Sequence, residues 1–294
     1  MLDRDGTLNL LEHLQSLPVR HSLLQSHSQQ TVVCYREAGS ALDCGTALVL
    51  LHGIGSGSAN WVYQLDTADS MGAGRVLAWD APGYADSTPL PSAQPSAADY
   101  AQRMWEWLDG LGVKKVRLAG HSLGCIVAAS AAHMHSARVD SLVLISPSLG
   151  YGALGDDEQR RKTNARISRY QTMASGNTAH LRALELLGPN AHPEHLVLTE
   201  HMLKQVHTSG YTQASHMRAH ADLMAQLLAL RQLRKIPTTV VCGQLDTATP
   251  PSECRALAHS VGAHYVQLQG VHHLCALQAS TEVNEILGLS SDEA

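Results

Sequence analysis

The segment Val116-Arg117-Leu118-Ala119-Gly120-His121-Ser122-Leu123-Gly124-Cys125-Ile126-Val127-Ala128-Ala129 constrains the fold of this chain more than any other. A short apolar run enters Gly-x-Ser-x-Gly and leaves into an Ala-rich run of helical character, which reads as strand, tight turn and helix. So abrupt a reversal holds its central residue, Ser122, at positive φ, where an L side chain is strained. It also brings the two arms together, so the residues two before and two after must have almost no side chain. Gly120 and Gly124 meet that demand. The turn lifts the Ser122 hydroxyl clear of the strand and aims the free N–H groups of the helix's first turn at it. The pattern predicts a nucleophile elbow, with a plain Gly-rich turn as the alternative.

The remaining apolar runs give the elbow its context. Strands are expected at Val19–Leu24, Thr31–Arg36, Ala47–Leu51, Arg75–Trp79, Ser141–Ile145, Thr238–Cys242 and Tyr265–Leu268. Helices are expected at Leu8–Leu17, within Trp61–Ser70, and at Ala97–Leu111, Ser252–Ser260 and Thr281–Leu287. Continuous apolar strands alternating with helices predict an α/β fold, a mostly parallel sheet covered on both faces. From 147 to 235 strand-like runs cease. Helical periodicity recurs instead at Thr178–Leu187, Leu196–Val206 and Ser215–Leu233. The expected division is a core of residues 1–146 and 236–294 with a helical insertion at 147–235.

Composition narrows the function classes. A net charge of −5 over 294 residues offers no basic footprint for nucleic acid or an anionic membrane. No apolar stretch is long enough to span a bilayer, and no secretory leader is evident, so a cytoplasmic location is the expectation. The cysteines at 34, 44, 125, 242, 254 and 275 lack Cys-x-x-Cys spacing and read as reduced, mostly buried thiols. There is no Phe, which moves core volume onto Leu, Ala, Val, Trp and Tyr. His133-Met134-His135 and His192-Pro193-Glu194-His195 match no metal-binding spacing and read as solvated histidines, so no metal and no cofactor is expected.

Serine needs a base, and the base an orienting group, both carried on loops at the strands' carboxyl ends. Asp246 follows the buried strand Thr238–Cys242 in Gly243-Gln244-Leu245-Asp246, whereas Asp140 precedes a strand and faces the wrong edge. For the base, Gly270-Val271-His272-His273 offers two neighbouring histidines, of which only one can face Ser122.

At this point the chain resembles the α/β-hydrolase family. The resemblance lies in His52-Gly53-Ile54-Gly55, Asp80-Ala81-Pro82-Gly83-Tyr84-Ala85-Asp86-Ser87, the elbow, Gly243-Gln244-Leu245-Asp246 and Gly270-Val271-His272-His273, in the chain order Ser, Asp, His. It implies an α/β-hydrolase fold of about eight strands with an inserted helical cap. Its Gly-x-Gly-His pattern implies His273 as base and puts His272 where Gly is usual. Ala85 likewise replaces a usual Gly. The resemblance further implies an oxyanion hole from the N–H groups of Ile54 and Leu123, with His52 holding the first of those loops. Gly-rich though it is, that loop lacks the Gly-Lys-Ser/Thr of a phosphate cradle.

Ser122, rather than Asp, at the elbow fits acyl transfer. Trp61, Tyr84 and His121 are candidate pocket walls. An insertion rich in Leu, Met and Val, without a clustered basic patch, suggests a small, largely apolar ester or lactone as a small-molecule substrate. Oligomeric state is left open. Hydrolysis of a carbon–carbon bond in a ring-cleavage diketone is the runner-up, and a slow or non-catalytic ligand receptor is the alternative from another class.

Overall fold

A computed structural model describes residues 10–25, 30–40, 46–173 and 177–289. The expected helix from Leu8 begins in part outside them, and Cys44 lies outside them altogether. Eight strands form one sheet: β1 Arg20–Gln25, β2 Gln30–Ala38, β3 Thr46–Leu51, β4 Val76–Trp79, β5 Lys115–His121, β6 Val139–Ile145, β7 Thr238–Gly243 and β8 His264–Leu268. Their order is β1-β2-β4-β3-β5-β6-β7-β8. Only β2 runs against its neighbours; β3 to β8 are parallel.

Alternate side chains of each parallel strand enter opposite layers. Val49 and Leu51 of β3 pack in one core, while Leu48 and Leu50 pack in the other. The first core is covered by α3 (Ala97–Gly110), α4 (Gly124–Met134), α9 (Leu223–Leu233) and α10 (Pro251–Val261). The second is covered by α1 (Leu10–Ser16), α2 (Val62–Ser70), α11 (Cys275–Gln278) and α12 (Ser280–Ile286). Trp79, Trp105 and Trp107 fill the first layer and Trp61 the second, supplying the aromatic volume that Phe would otherwise give.

Between β6 and β7 the chain forms α5 (Asp156–Met173), α6 (Asn177–Leu187), α7 (Pro193–Gln205), α8 (Thr208–His220) and α9. Two features differ from the periodicity reading. The stretch Asp156–Met173 carried no apolar stripe strong enough to announce α5. The single helix expected over Ser215–Leu233 is two helices. Ala221 and Asp222 take extended backbone angles, the Asp222 carboxylate accepts from Ala225 N–H at 3.0 Å, and Gly152 N–H reaches the Ala221 carbonyl at 2.8 Å. A capping Asp and a tertiary bridge override local propensity there. Of these helices, α9 packs on α4 and α10 in the same layer as the core helices. Among the described residues no helix is long and apolar enough to cross a membrane.

Candidate active site

Strand β5 ends at the elbow. Ser122 has φ 53°, its N–H donates to the Ile145 carbonyl at 2.8 Å, and its carbonyl accepts from Ser148 N–H at 3.1 Å. A Cβ on Gly124 would lie 2.1 Å from the Leu51 carbonyl oxygen, and one on Gly120 2.6 Å from Cys125 N. Both glycines are thus required by close backbone approach, as the sequence argued.

Asp246 follows β7, and burial alone would push its carboxyl up. The His273 hydrogen bond and charge, then Thr249, outweigh that and hold it well below the usual carboxylate range. His273 Nδ1 lies 2.8 Å from Asp246 Oδ2. The carboxylate also accepts from Ala248 N–H at 2.8 Å, Thr249 N–H at 2.9 Å and the Thr249 hydroxyl at 2.8 Å. Thr249 was not singled out from the sequence, although a Thr three residues after an Asp in a turn is the signal of such a cap.

The two neighbouring histidines part company. His273 N–H donates to the Leu186 carbonyl at 3.0 Å, which faces its ring toward Asp246. His272 turns the other way: its N–H donates to Gln278 at 3.1 Å and its ring packs against Gly188, where an added Cβ would stand 2.1 Å from Nε2. Ala85, at the usual Gly position, takes φ 45° and so carries the strain that glycine would avoid.

His52 holds its loop as expected. Its Nε2 accepts from Ala81 N–H at 3.0 Å, which leaves the Nδ1 proton to donate to the Gly53 carbonyl at 2.8 Å. Burial lowers its pKa, consistent with that neutral ring. His121 is buried beside His273 with ring centroids 4.8 Å apart. Its Nε2 lies 2.9 Å from the His273 carbonyl, and burial, then the His273 charge, pull it down to about 3.

Ser122, His273, His121, Ile54 and Leu123 line one cavity of about 580 Å³, open mouth included. Its other wall comes from the insertion: Arg166 of α5, Arg182 and Leu186 of α6, Thr199 and Met202 of α7, and Arg218 of α8. The convergence of three arginines, far apart in sequence, corrects the reading of this wall as apolar without a basic cluster. Two candidate walls are packed elsewhere. Trp61 is wholly buried in the core beneath α2, and Tyr84 sets its ring 4.8 Å from that of His52.

Of the histidines read as solvated, His133, His135 and His192 are exposed. His195 is half-buried, 3.1 Å from the Tyr63 hydroxyl, and burial lowers it to about 4. Among the described residues no three side chains cluster as metal ligands. The cysteines at 34, 125, 242, 254 and 275 are buried free thiols.

Residues 46–278 match the alpha/beta hydrolase fold family, and the chain belongs to it. The dihydrolipoyllysine-residue acetyltransferase component of the acetoin cleaving system of Pseudomonas putida is 29% identical over 244 residues. That match takes in 82% of this chain and 62% of the relative, so the chain spans less than two thirds of that protein's length. An esterase from Thermogutta terrifontis superposes with a TM-score of 0.77 at 21% identity, over 92% of this chain and 97% of that one. The enol-lactonase from Burkholderia xenovorans LB400 gives 0.75 at 19% identity, over 92% and 98%. At those identities the likeness is one of fold.

Proposed function

We propose that this protein is a serine hydrolase that cleaves a small carboxylic ester or lactone through an acyl-enzyme. The observation that carries the reading is the 2.8 Å contact of His273 Nδ1 with a fully hydrogen-bonded Asp246, in a cavity that His273 shares with the strained Ser122. The carboxylate fixes the imidazole so that Nδ1–H points at Asp246 and the Nε2 lone pair is free for the serine proton.

In the reaction, Ser122 Oγ attacks the substrate carbonyl as His273 takes its proton. The proton passes to the leaving alkoxide, and the acyl group stays on Ser122. His273 then deprotonates a water that attacks the acyl carbon, and returns that proton to Ser122 Oγ as the acyl–oxygen bond breaks and the acid leaves. Asp246 stabilises the imidazolium at both stages. The N–H groups of Ile54 and Leu123 receive the oxyanion; removing one such donor raises a barrier by about 3–4 kcal/mol. The insertion, residues 147–235, acts as the cap that closes the cavity against a core of 1–146 and 236–294. It keeps water from competing for these dipoles.

The test is a fluorophosphonate with intact-protein mass spectrometry and a p-nitrophenyl ester panel. A single adduct at Ser122, and ester turnover that drops about 10⁴- to 10⁶-fold in Ser122→Ala, are the expected results. A folded protein that forms no adduct and keeps its turnover in that variant defeats the reading.

A further inference from the structure

The cavity has three arginines in its wall and no aspartate or glutamate among its described lining residues. The three are not equivalent. Arg182 is paired, with its guanidinium 2.8 Å from the Glu185 carboxylate, which Arg169 shares at 2.5 Å. Arg166 and Arg218 have no such partner among the described residues; their polar neighbours are Tyr151, Tyr211, Ser148 and one another. Arg218 donates from Nε to Ser148 Oγ at 2.8 Å and from Nη1 to the Tyr151 hydroxyl, and its guanidinium carbon stands 4.2 Å from the centre of the Tyr151 ring. Arg166 Nε is shut off from solvent and has no hydrogen-bond partner. Thr199 Oγ1, in the same wall, is likewise buried and unpartnered.

Two sheltered like charges repel, and a buried donor left without an acceptor forfeits its hydration. Burial, then the Arg166 charge, lower Arg218 to about 10, so both guanidiniums remain cationic at neutral pH. The same cations outweigh burial at Tyr151 and draw its hydroxyl down. Neighbouring tyrosines and a serine supply oxygen acceptors but no net negative charge. What would complete the cluster is an anion arriving from the cavity, and a planar carboxylate matches the guanidinium fork best.

We propose that Arg166 and Arg218 form an anion subsite that binds a carboxylate carried by the substrate itself, away from the bond cleaved at Ser122. This rests on the serine hydrolase reading and narrows its substrate to esters or lactones of short diacids or hydroxy-diacids. Ser148 sets the scale. Its N–H holds the Ser122 carbonyl at 3.1 Å and its hydroxyl holds Arg218 at 2.8 Å, so one residue joins the elbow to the cationic wall. The buried Thr199 hydroxyl provides a further donor along the same wall.

The experiment compares p-nitrophenyl hydrogen glutarate with p-nitrophenyl pentanoate, acyl chains of equal length with and without a terminal carboxylate. Wild type should favour the acid ester at least tenfold in kcat/KM, mainly through KM. Arg166→Gln and Arg218→Gln should each cut the acid-to-neutral ratio roughly ten- to a hundredfold, the range of a charge-assisted hydrogen bond, and the Lys variants should recover part of it. The wild-type ratio needs no variant to fold. Calorimetric binding of glutarate to Ser122→Ala protein, with and without each arginine, runs in parallel. A ratio near one, or one that the arginine substitutions leave in place, overturns the subsite and leaves the hydrolase reading standing. Arginine-dependent glutarate binding without turnover of either ester upholds the subsite and removes the serine chemistry. Neither turnover nor binding removes both.

Discussion

Lowering the pH from 7.5 to 5 should remove about 2 kcal/mol of folding stability through His121 alone. The ring is almost wholly buried, and its Nε2–H is committed to the His273 carbonyl at 2.9 Å. Nδ1 therefore carries the lone pair, and that atom is buried without a partner. A proton there would be a charged donor facing no acceptor, which is why burial first, and the His273 charge second, hold the group at about 3. In the unfolded chain an ordinary imidazole titrates near 6.5. The unfolded state thus binds its proton first as the pH falls. His121 leaves stability untouched above about 6.5, and the loss accumulates from there down to about 3. At pH 5, about 1.5 units below the unfolded value, the loss is about 2 kcal/mol at 1.36 kcal/mol per unit. Urea unfolding at both pH values, for wild type and His121→Gln, measures it. Glutamine keeps a donor for the His273 carbonyl and does not titrate, and the other buried histidines contribute equally to both proteins. The variant should lose about 2 kcal/mol less than wild type on acidification. Equal losses would refute the assignment of a buried, neutral ring at this position.

Three further outcomes follow from the same geometry. His273→Ala should lower ester turnover by about 10⁴-fold or more while His272→Ala changes it by less than about tenfold, measured as kcat on one p-nitrophenyl ester; equal losses would undo the assignment of the base. Thr249→Val strips a 2.8 Å donor from the Asp246 carboxylate and should cost about 1.5–3 kcal/mol in urea unfolding at neutral pH. Because Asp246 is held low, its contribution is full above the unfolded value near 3.9 and fades as the pH falls through its lower folded value; in Thr249→Val the contribution should be smaller and its fading should be complete at a higher pH. Gly124→Ala places a methyl group 2.1 Å from the Leu51 carbonyl oxygen and should lower stability by about 3 kcal/mol or more in thermal denaturation, where an unchanged melting temperature would show that the elbow is not so tight.

What the sequence revealed, and what it hid, separates along physical lines. Strands such as Ala47–Leu51 announced themselves because both faces are buried, so every residue is apolar. The elbow was legible because a backbone collision leaves only glycine at 120 and 124. Helix α5 was not, because its exposed face is held by pairs such as Asp157 with Arg160 and Glu158 with Arg161, which write no apolar period. The break between α8 and α9 has neither Gly nor Pro, since the local Asp222 cap and the Ala221 carbonyl, bonded to Gly152 far away in sequence, enforce it. For the same reason Arg166, Arg182 and Arg218, far apart in the sequence, showed no basic patch there. Only the packing of α5, α6 and α8 gathers them into one wall. Trp61 and Tyr84 differ in the opposite sense: a place just after the His52–Gly55 loop for Trp61, or in the Asp80–Ser87 motif for Tyr84, carried no information about which way those large rings would point.

The Leu186 carbonyl, which accepts the backbone N–H of His273, and the Leu187 carbonyl, 2.9 Å from the Gln278 side chain, bind the last turn of α6 to the loop that presents the imidazole. The helical insertion and the loop that carries His273 are therefore one mechanical part. An insertion transplanted from a relative would have to bring its own acceptor to that spot, or the imidazole would drift. New specificities on this scaffold should accordingly arise by changing side chains on the resident helices, not by exchanging the helices wholesale.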